Sequence, residues 1–301
     1  MRFVHSLNTN PIFNNNNHII PQFYRLVGSI IYSAMSVCWV QYHGHDIILH
    51  TDSKGKDLLD FIPYNEIHTT LDDIPKDIHP AFFAAGKMYA MSNEPLNSIH
   101  IDNDVFLKKP IVYDLIENSK YELLIQQTED GEIYDEFAGH IYKKDPDFFN
   151  QQGLDINDHR AYNTGILNFR SQSLKDEFIE KYKKIVRHYS KICDNELSTS
   201  KKCIPDLFAE QMNIYQTSKN YNVLGLLDDT QIDDFAYDIG YQHILTYVKF
   251  TKMDMVMDML SKINPDMYNK TLERVQQIMK AKGYDHYNIK TVGDIDYIQV
   301  G

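Results

Sequence analysis

The sequence predicts an α/β protein in which helices flank a mostly parallel sheet. Strand-like and helix-like segments alternate over the first hundred of its 301 residues. The composition, 43% hydrophobic and 24% charged, allows a sizeable core. An apolar strand runs into two aspartates in "NSIHIDNDVFLKKP", residues 97–110. Since ligands of open α/β sheets bind beyond the carboxyl ends of strands, these aspartates mark the expected site.

The first hundred residues contain three predicted strands, "RFVHSL", "DIILH" and "NSIHID". Between the first two, the segment from Gln22 to Tyr42 has apolar residues at helical spacing and is predicted to be a core helix. The polar turn "TDSKG" is expected to end the second strand. "PAFFAAGKMYAMSN" predicts another helix, with Pro80 in its first turn. This order favours a parallel sheet with crossover helices.

The remaining two hundred residues mix strands and helices. "YELLIQQ" is a predicted strand, "EDGEIYDEFAG" an acidic loop, and "RAYNTGILNF" a strand interrupted by a turn. Helices are expected over "LKDEFIEKYKKIVRHYSKI" and "IPDLFAEQMNIYQTS", and late strands or loop edges over "YNVLGLL" and "QHILTYVKF". The last fifty residues look helical. Their apolar stripe, expected to pack in the core, consists of Met253, Met257, Leu260 and Ile263.

Charge and cysteine content disfavour several classes of protein. The 42 acidic and 30 basic side chains give a formal charge of −12, which argues against nucleic acid as a partner. The odd, scattered set Cys38, Cys193 and Cys203 is typical of reduced thiols. "MRFVHSLNTN" lacks the apolar core of a signal peptide, and "LVGSIIYSAMSVCWV" is too short for a transmembrane segment. We therefore expect a cytoplasmic protein, with a peripheral membrane location left open.

Asp102 and Asp104 are candidate metal ligands. If the strand continues, Ile99 and Ile101 face one side while His100 and both aspartates face the other. Two strand residues advance roughly 6.6 Å, so both carboxylates can reach one divalent ion at oxygen distances of about 2.1 Å. The alternative is an Asx turn with both carboxylates solvated. The apolar strand that leads directly into the pair favours a metal site.

The segment "SIHIDNDVFL" resembles the strand and DxD motif of GT-A-fold glycosyltransferases, specifically the retaining glycogenin-like and lipopolysaccharide galactosyltransferase types. In that family the motif holds Mn²⁺ or Mg²⁺ against the diphosphate of a nucleotide-sugar. Asn103, between the two aspartates, becomes a candidate substrate contact. "QHILTYVKF" resembles the family's His-x-x-Gly-x-x-Lys-Pro-Trp segment. The resemblance makes His243 the third metal ligand and Lys249 a diphosphate contact.

The His–Lys segment departs from the family pattern at three positions. Thr246 replaces the Gly, and Phe250 and Thr251 replace Pro-Trp, so the geometry of this loop stays open. A core histidine is the alternative interpretation of His243.

Two further segments follow the family order. "AYNTGILNF" resembles the Asn-x-Gly segment that lines the sugar-donor pocket, through Asn163 and Gly165. Asn163 would offer an amide to sugar hydroxyls, and Gly165 would let the backbone approach the ligand; a hairpin-like turn is the alternative. "LFAEQMNIY" resembles the acidic residue and Gln near the anomeric carbon, through Glu210 and Gln211. There the alternative is a solvated helix pair.

Two weaker candidates complete the predicted site. Lys87, on the helix before the DxD strand, stands where these enzymes often place a basic donor contact; a surface lysine is the alternative. Asp130, after "YELLIQQTED", is a candidate for approach to the acceptor, with a solvated acidic loop as the alternative.

The resemblance implies a GT-A, Rossmann-like fold and a metal-dependent transferase. Its donor would be a nucleotide-sugar, taken to be a UDP-sugar, and its acceptor a hydroxyl of a glycan or another molecule, with retention of configuration, as in polysaccharide biosynthesis. The catalytic domain would span residues 1–250, with a nucleotide-binding half at 1–110 and a donor-sugar and acceptor half at 111–250. Residues 251–301 would form a helical extension, left open as a homo-oligomer contact, acceptor platform or membrane-surface helix.

Two other functions stay in view. One is a catalytically silent protein that binds sugar nucleotides or assembles on the same fold, which the departures at Thr246 and Phe250 keep open. The other is a nucleotidyltransferase, which is disfavoured because "RFVHSLNTNP" has no Gly-rich loop.

Overall fold

A computed structural model of the chain describes residues 1–14, 22–130, 134, 145–155, 157–192, 205–227, 235–236, 238–244 and 251–281. The strands are β1 Arg2–Leu7, β2 Asp46–Thr51, β3 Glu66–His68, β4 Ile99–Ile101, β5 Val105–Leu107, β6 Leu123–Glu129, β7 Ala161–Phe169, β8 Val223–Gly225, β9 Phe235–Ala236 and β10 Tyr241–His243. The helices are α1 Asn10–Asn14, α2 Gln22–Tyr42, α3 Ser53–Leu59, α4 Ala85–Asn93, α5 Pro110–Asn118, α6 Pro146–Gln151, α7 Gln172–Ile192, α8 Pro205–Leu207, α9 Asn213–Thr217, α10 Met253–Ile263 and α11 Pro265–Ala281. A 3₁₀ turn covers Thr70–Asp73, and a π-helical turn covers Phe208–Met212 between α8 and α9.

The main sheet has seven strands in the order β3-β2-β1-β4-β7-β6-β8. Strand β1 pairs in parallel with β2 and β4, and β6 pairs in parallel with β8. Strand β7 is antiparallel to both of its neighbours, β4 and β6. The predicted fold class is confirmed: a mixed, mostly parallel sheet is flanked by helices, with further helices at the C-terminal side. This architecture agrees with the Rossmann-like fold that the family resemblance implies.

A smaller sheet joins distant parts of the chain. Strand β5, which directly follows the two aspartates, pairs antiparallel with β10, and β10 pairs with β9. In this register His243 lies opposite Val105. The small sheet therefore brings the late histidine beside the DxD turn.

Two hydrophobic cores cover the two faces of the main sheet. Successive residues of β6 enter different cores, because Leu124 joins one while Leu123 and Ile125 join the other. Helix α2 lies in the first core, as predicted. It is long and apolar enough to cross a membrane by length and composition, but most of that window is buried inside the protein.

Helices α10 and α11 pack against α2. Met253, Met257 and Leu260 are buried in the same core, so this part of the predicted stripe is core packing, while Ile263 is partly buried at its edge. The proposed division at residue 250 stays a prediction.

Three boundaries differ from the sequence predictions. The helix expected from Pro80 begins at Ala85, because the backbone N–H of Ala84 donates to the Asp206 carboxylate and not to a preceding turn. The expected polar turn "TDSKG" contains the start of α3, whose N-cap Asp52 accepts from the Gly55 N–H. Strand β7 is continuous, although its pairing with β6 is irregular between Leu167 and Asn163, where the turn was expected.

Candidate functional site

The two aspartates lie on a tight turn at the carboxyl end of β4. The strand ends at Ile101, and the Val105 N–H donates to the Asp102 carbonyl oxygen over 2.9 Å. The Asp102 N–H donates to the carbonyl oxygen of Gly165 on β7 over 2.8 Å. The condition that the strand continues through Asp104 is not met, because this turn separates β4 from β5. The turn, and not strand alternation, brings the two carboxylates together.

His243 reaches this turn through the pairing of β10 with β5. Its Nε2 lies 3.3 Å from Oδ1 of Asp104, and the Ile244 N–H donates to the Asp104 carbonyl oxygen over 3.1 Å. One ligand atom each from Asp102, Asp104 and His243 lie within 4.8 Å of one another. The structure therefore brings together the three predicted metal ligands.

The residues present fit a divalent metal. Two carboxylates and one imidazole suit Mn²⁺ or Mg²⁺. Ligands about 2.1 Å from a shared ion lie up to roughly 4.2 Å apart, so small side-chain rotations bring the observed atoms to coordination distance. Asp104 is only 8% exposed, and the Asp102 side chain is 30% exposed, so the alternative of two solvated carboxylates is wrong.

Gln126 and Gly165 lie next to the Nδ1 atom of the His243 ring. The Nδ1 atom of His243 lies 2.7 Å from Oε1 of Gln126, and the hydroxyl of Tyr241 donates to the same oxygen over 2.7 Å. A Cβ atom at Gly165 would lie 2.5 Å from Nδ1 of His243. In the structure the close neighbours of Gly165 are therefore the His243 ring and the Gln126 amide, a reason for glycine that the sequence prediction had not considered.

Lys87 lies at the centre of the site. Its Nζ is 2.9 Å from Oδ1 of Asp102 and 2.8 Å from Oε1 of Glu210, and it donates to the Thr164 carbonyl oxygen over 3.0 Å. The residue is 7% exposed, so the surface-lysine alternative is wrong. Burial would lower the pKa of Lys87, but the carboxylates of Asp102 and Glu210 outweigh it and raise that pKa above its ordinary value.

The π-helical turn Phe208–Met212 carries Glu210 and Gln211. Glu210 is 3% exposed and accepts from the Thr164 hydroxyl over 2.6 Å, so the solvated-pair alternative does not hold for it. Gln211 is half-buried, and its Oε1 accepts from the hydroxyl of Tyr134 over 2.7 Å. π-Helical turns occur frequently at functional sites, and this one aims a carboxylate at Lys87.

Asn163 belongs to a neighbouring polar network. Its amide donates to Oε1 of Glu129 over 2.7 Å, and its Oδ1 accepts from the Gly165 N–H over 3.0 Å. The Glu129 carboxylate also lies within hydrogen-bond distance of the Tyr134 hydroxyl, which Glu129 and Gln211 therefore share. Among the described atoms, the buried Oε1 of Gln127, whose residue pairs with Asn163 across the strands, has no hydrogen-bond partner.

The remaining predicted residues lie at or beyond the edge of this arrangement. Asp130 is exposed at the end of β6, directly after Glu129. The Asn103 amide donates to the Ser33 hydroxyl on α2 over 2.9 Å. Lys249, with residues 245–250, lies outside the described residues.

Acidic groups exceed basic ones in the described part of the site. Burial, together with the nearby carboxylates of Asp104 and Glu210, raises the pKa of Asp102 despite opposing contributions from Lys87 and His243. Burial and the Glu210 carboxylate also raise the pKa of Asp206 to about 8; its Oδ1 accepts from the Tyr182 hydroxyl over 3.0 Å. The site therefore favours an added cation.

Sequence reasoning missed Gln126, Glu129, Thr164 and Asp206. A usable signal existed for the first two, because polar residues end the predicted strand "YELLIQQ" and follow it in "TED", as they end the DxD strand. Thr164 stands between the two predicted residues of "AYNTGILNF". Asp206 carried no such signal, since its burial depends on helix packing.

Comparisons with known proteins add a family and one solved structure. A family model described as "Family of unknown function (DUF6734)" matches residues 1–289. No curated protein matches the sequence. A crystal structure of the galactosyltransferase LgtC, in complex with donor and acceptor sugar analogs, aligns with 90% of this chain and 100% of its own. The TM-score is 0.45 and the sequence identity 7%, so this likeness carries no functional argument.

Proposed function

The chain belongs to DUF6734, a family of unknown function, and we propose that it is a metal-dependent glycosyltransferase of the GT-A type. The donor is a nucleotide-diphosphate sugar, taken as a UDP-sugar, and the acceptor is a hydroxyl group of a glycan or another molecule. The gathering of Asp102, Asp104 and His243 within 4.8 Å, at the carboxyl end of a central strand, is the observation that carries the proposal.

The acidic balance of the site supports this choice. A diphosphate brings further negative charge, which Asp102, Asp104 and Glu210 would repel in the absence of a cation. A bound Mn²⁺ or Mg²⁺ supplies Lewis-acid charge to the diphosphate oxygens of the leaving group. Lys87 pairs with Asp102 and Glu210 and holds both carboxylates in place, and Lys249 adds positive charge for the diphosphate.

The residues around the metal ligands divide between donor sugar and acceptor. Glu210 and Gln211 stabilise positive charge that develops on the sugar as the diphosphate departs. Asn163 and Gln127 offer amide groups to sugar hydroxyls; the unpartnered Oε1 of Gln127 accepts one such hydroxyl. Asp130 and Glu129 stand toward the acceptor. Retention of configuration follows from the family resemblance stated above.

Calorimetric titration with UDP, with and without Mn²⁺, tests the metal-dependent half of this proposal. We expect UDP to bind only in the presence of Mn²⁺, and Asp104→Asn to weaken that binding about 100-fold because one of the three ligands loses its charge. The matched control is Asp258→Asn, an exposed aspartate on α10 that pairs with Lys262, which should bind as the wild type does.

A panel of UDP- and GDP-sugars, assayed for Mn²⁺-dependent hydrolysis, tests the transfer half. Turnover of at least one donor by the wild type, lost in Asp104→Asn, is the expected result. Metal-dependent UDP binding without turnover of any donor would favour the silent sugar-nucleotide-binding protein, and UDP binding that ignores Mn²⁺ would refute the metal site.

A further inference from the structure

The geometry points to Gln126 as the positioning residue that sets the tautomer of His243 and thereby aims its Nε2 at Asp104. Gln126 is fully buried on β6, and its backbone carbonyl oxygen accepts from the Leu227 N–H over 2.8 Å. Its Oε1 lies 2.7 Å from Nδ1 of His243. The contact between Gln126 and His243 is observed in the structure. Only its effect on metal binding rests on the proposed function.

An amide oxygen accepts hydrogen bonds and cannot donate them, so the Nδ1 atom of His243 is the donor in this contact. In the neutral form of His243 the ring carries one proton, and this contact places that proton on Nδ1. The lone pair of Nε2 in that neutral form is on the side of Asp104, whose Oδ1 lies 3.3 Å away. A cation between Nε2 of His243 and Oδ1 of Asp104 would accept both lone pairs. The contact with Gln126 therefore orients His243 as a metal ligand.

The hydroxyl of Tyr241 contacts the same end of the Gln126 amide as the His243 ring does. It donates to the same Oε1 over 2.7 Å, so two donors converge on one oxygen. With the amide turned round, its N–H₂ group would face Nδ1 and the tautomer would reverse. Tyr241 and His243 are two residues apart on β10, so one short strand carries both of these donors.

The irregular pairing of β7 makes room for this contact. Ile125 pairs with Leu167 but Gln127 pairs with Asn163, so β7 uses two more residues than β6 in the stretch opposite Gln126. That stretch contains Gly165, where a Cβ atom would lie 2.6 Å from Oε1 of Gln126 and 2.5 Å from Nδ1 of His243. Such irregularities often re-aim side chains beside active sites.

The test is ¹⁵N NMR of the histidine rings at pH 8, with and without Mg²⁺, in the full-length protein. Comparison with His243→Gln assigns the His243 signals. We expect a protonated Nδ1 in the wild type, and loss of that proton from Nδ1 in Gln126→Met, a variant of similar shape that cannot accept the hydrogen bond. Gln126→Glu, which can accept it, should restore the wild-type signature.

Mn²⁺ affinity measured by electron paramagnetic resonance gives the second readout. Gln126→Met should bind Mn²⁺ about 10- to 100-fold more weakly, and Gln126→Glu at least as tightly as the wild type. The matched control is Asn168→Leu, which removes another buried amide, one that donates to the Ser98 carbonyl oxygen. It should alter neither the tautomer nor the affinity, even where stability falls.

Two outcomes would overturn the inference: a wild-type His243 with no proton on Nδ1, or a Gln126→Met variant that keeps both the proton and the affinity. A wild type that carries the Nδ1 proton and binds no Mn²⁺ would support the role of Gln126 and refute the proposed function, so the two failures are distinguishable.

Discussion

Two buried ionic clusters of this protein differ in their charge balance. In the Glu94 cluster, the Glu94 carboxylate accepts from Arg2 over 2.7 and 3.1 Å and from Ser98 over 2.9 Å, and lies 2.9 Å from Nε2 of His50. In the Asp102 cluster, Asp102, Asp104 and Glu210 share Lys87 and His243. The first cluster satisfies its carboxylate with protein donors. The second has more acids than its described donors can neutralise.

The pKa values follow this difference. Burial would raise the pKa of Glu94, but hydrogen bonds from His50, Arg2 and Ser98 hold it well below its ordinary value. In the other cluster burial prevails and the pKa of Asp102 is raised. A satisfied carboxylate stabilises the fold, whereas an acid-rich cluster gives up stability and retains affinity for a cation.

Glu94→Gln should produce the largest change, and it should be a change in stability alone. Removing one partner of a buried ionic network typically costs about 3 to 5 kcal/mol, and chemical denaturation would measure it as a fall in the free energy of unfolding. Glu66→Gln is the control, because Glu66 meets the same Arg2 at an exposed position where solvent screens the pair, and it should leave the free energy of unfolding nearly unchanged. A loss of Mn²⁺ affinity in Glu94→Gln would show that the two clusters are coupled.

The free energy of unfolding should also fall as pH rises, because of Asp206, a buried acid whose pKa is raised in part by Glu210 of the Asp102 cluster. Asp206 keeps its proton in the folded protein up to a pKa of about 8, whereas an unfolded aspartate releases it near about 4. Its contribution is therefore present below about pH 4 and is lost as pH rises through about 8, at about 1.4 kcal/mol per pH unit, or about 3 kcal/mol between pH 5 and 7.

Denaturation curves of wild type and Asp206→Asn at several pH values would measure this difference, since the variant should lack that slope. Asp266→Asn, an exposed aspartate on α11, should keep it. Parallel pH profiles for the wild type and Asp206→Asn would contradict the raised pKa.

Gly165→Ala should damage the Asp102 cluster while leaving the Glu94 cluster intact. The added Cβ would lie 2.5 Å from the His243 ring, so the ring must shift and the metal ligands separate. Overpacking of this kind costs about 1 to 3 kcal/mol, and we expect Mn²⁺ affinity to fall by about tenfold or more. The control is Gly225→Ala on β8, where the nearest atom would be 3.5 Å away. Equal Mn²⁺ affinity in the two variants would mean that His243 is not a ligand.

Lys249→Ala should have the smallest effect, since it removes positive charge for the diphosphate and none of the metal ligands. UDP should bind about tenfold more weakly in the presence of Mn²⁺, a loss of about 1.4 kcal/mol, with unchanged affinity for Mn²⁺ alone. Lys252→Ala, an exposed lysine three residues on, is the control in the same titration. If the two variants bind UDP equally, Lys249 does not contribute to binding of the diphosphate.

The comparison also separates what sequence patterns can predict from what they cannot. The DxD turn was predictable, because an apolar strand ending in two acids is a local pattern. The charge state of Lys87 was not, since its partners Asp102 and Glu210 come from 15 and 123 positions further along the chain. The Glu94 cluster went unpredicted for the same reason: Arg2, His50 and Glu94 carry no shared motif.

Local periodicity and motif order in the chain were sufficient for the fold class, for the bounds of α2 and for the identity of the three candidate ligands. These features depend on neighbouring residues, whose spacing is visible along the sequence. The folded arrangement alone set the orientation of His243 through Gln126, the need for glycine at position 165, and the excess of acid around Lys87. Each of these depends on side chains from separate strands meeting in a low-dielectric interior, where distance and burial, and not residue type, control protonation and contact.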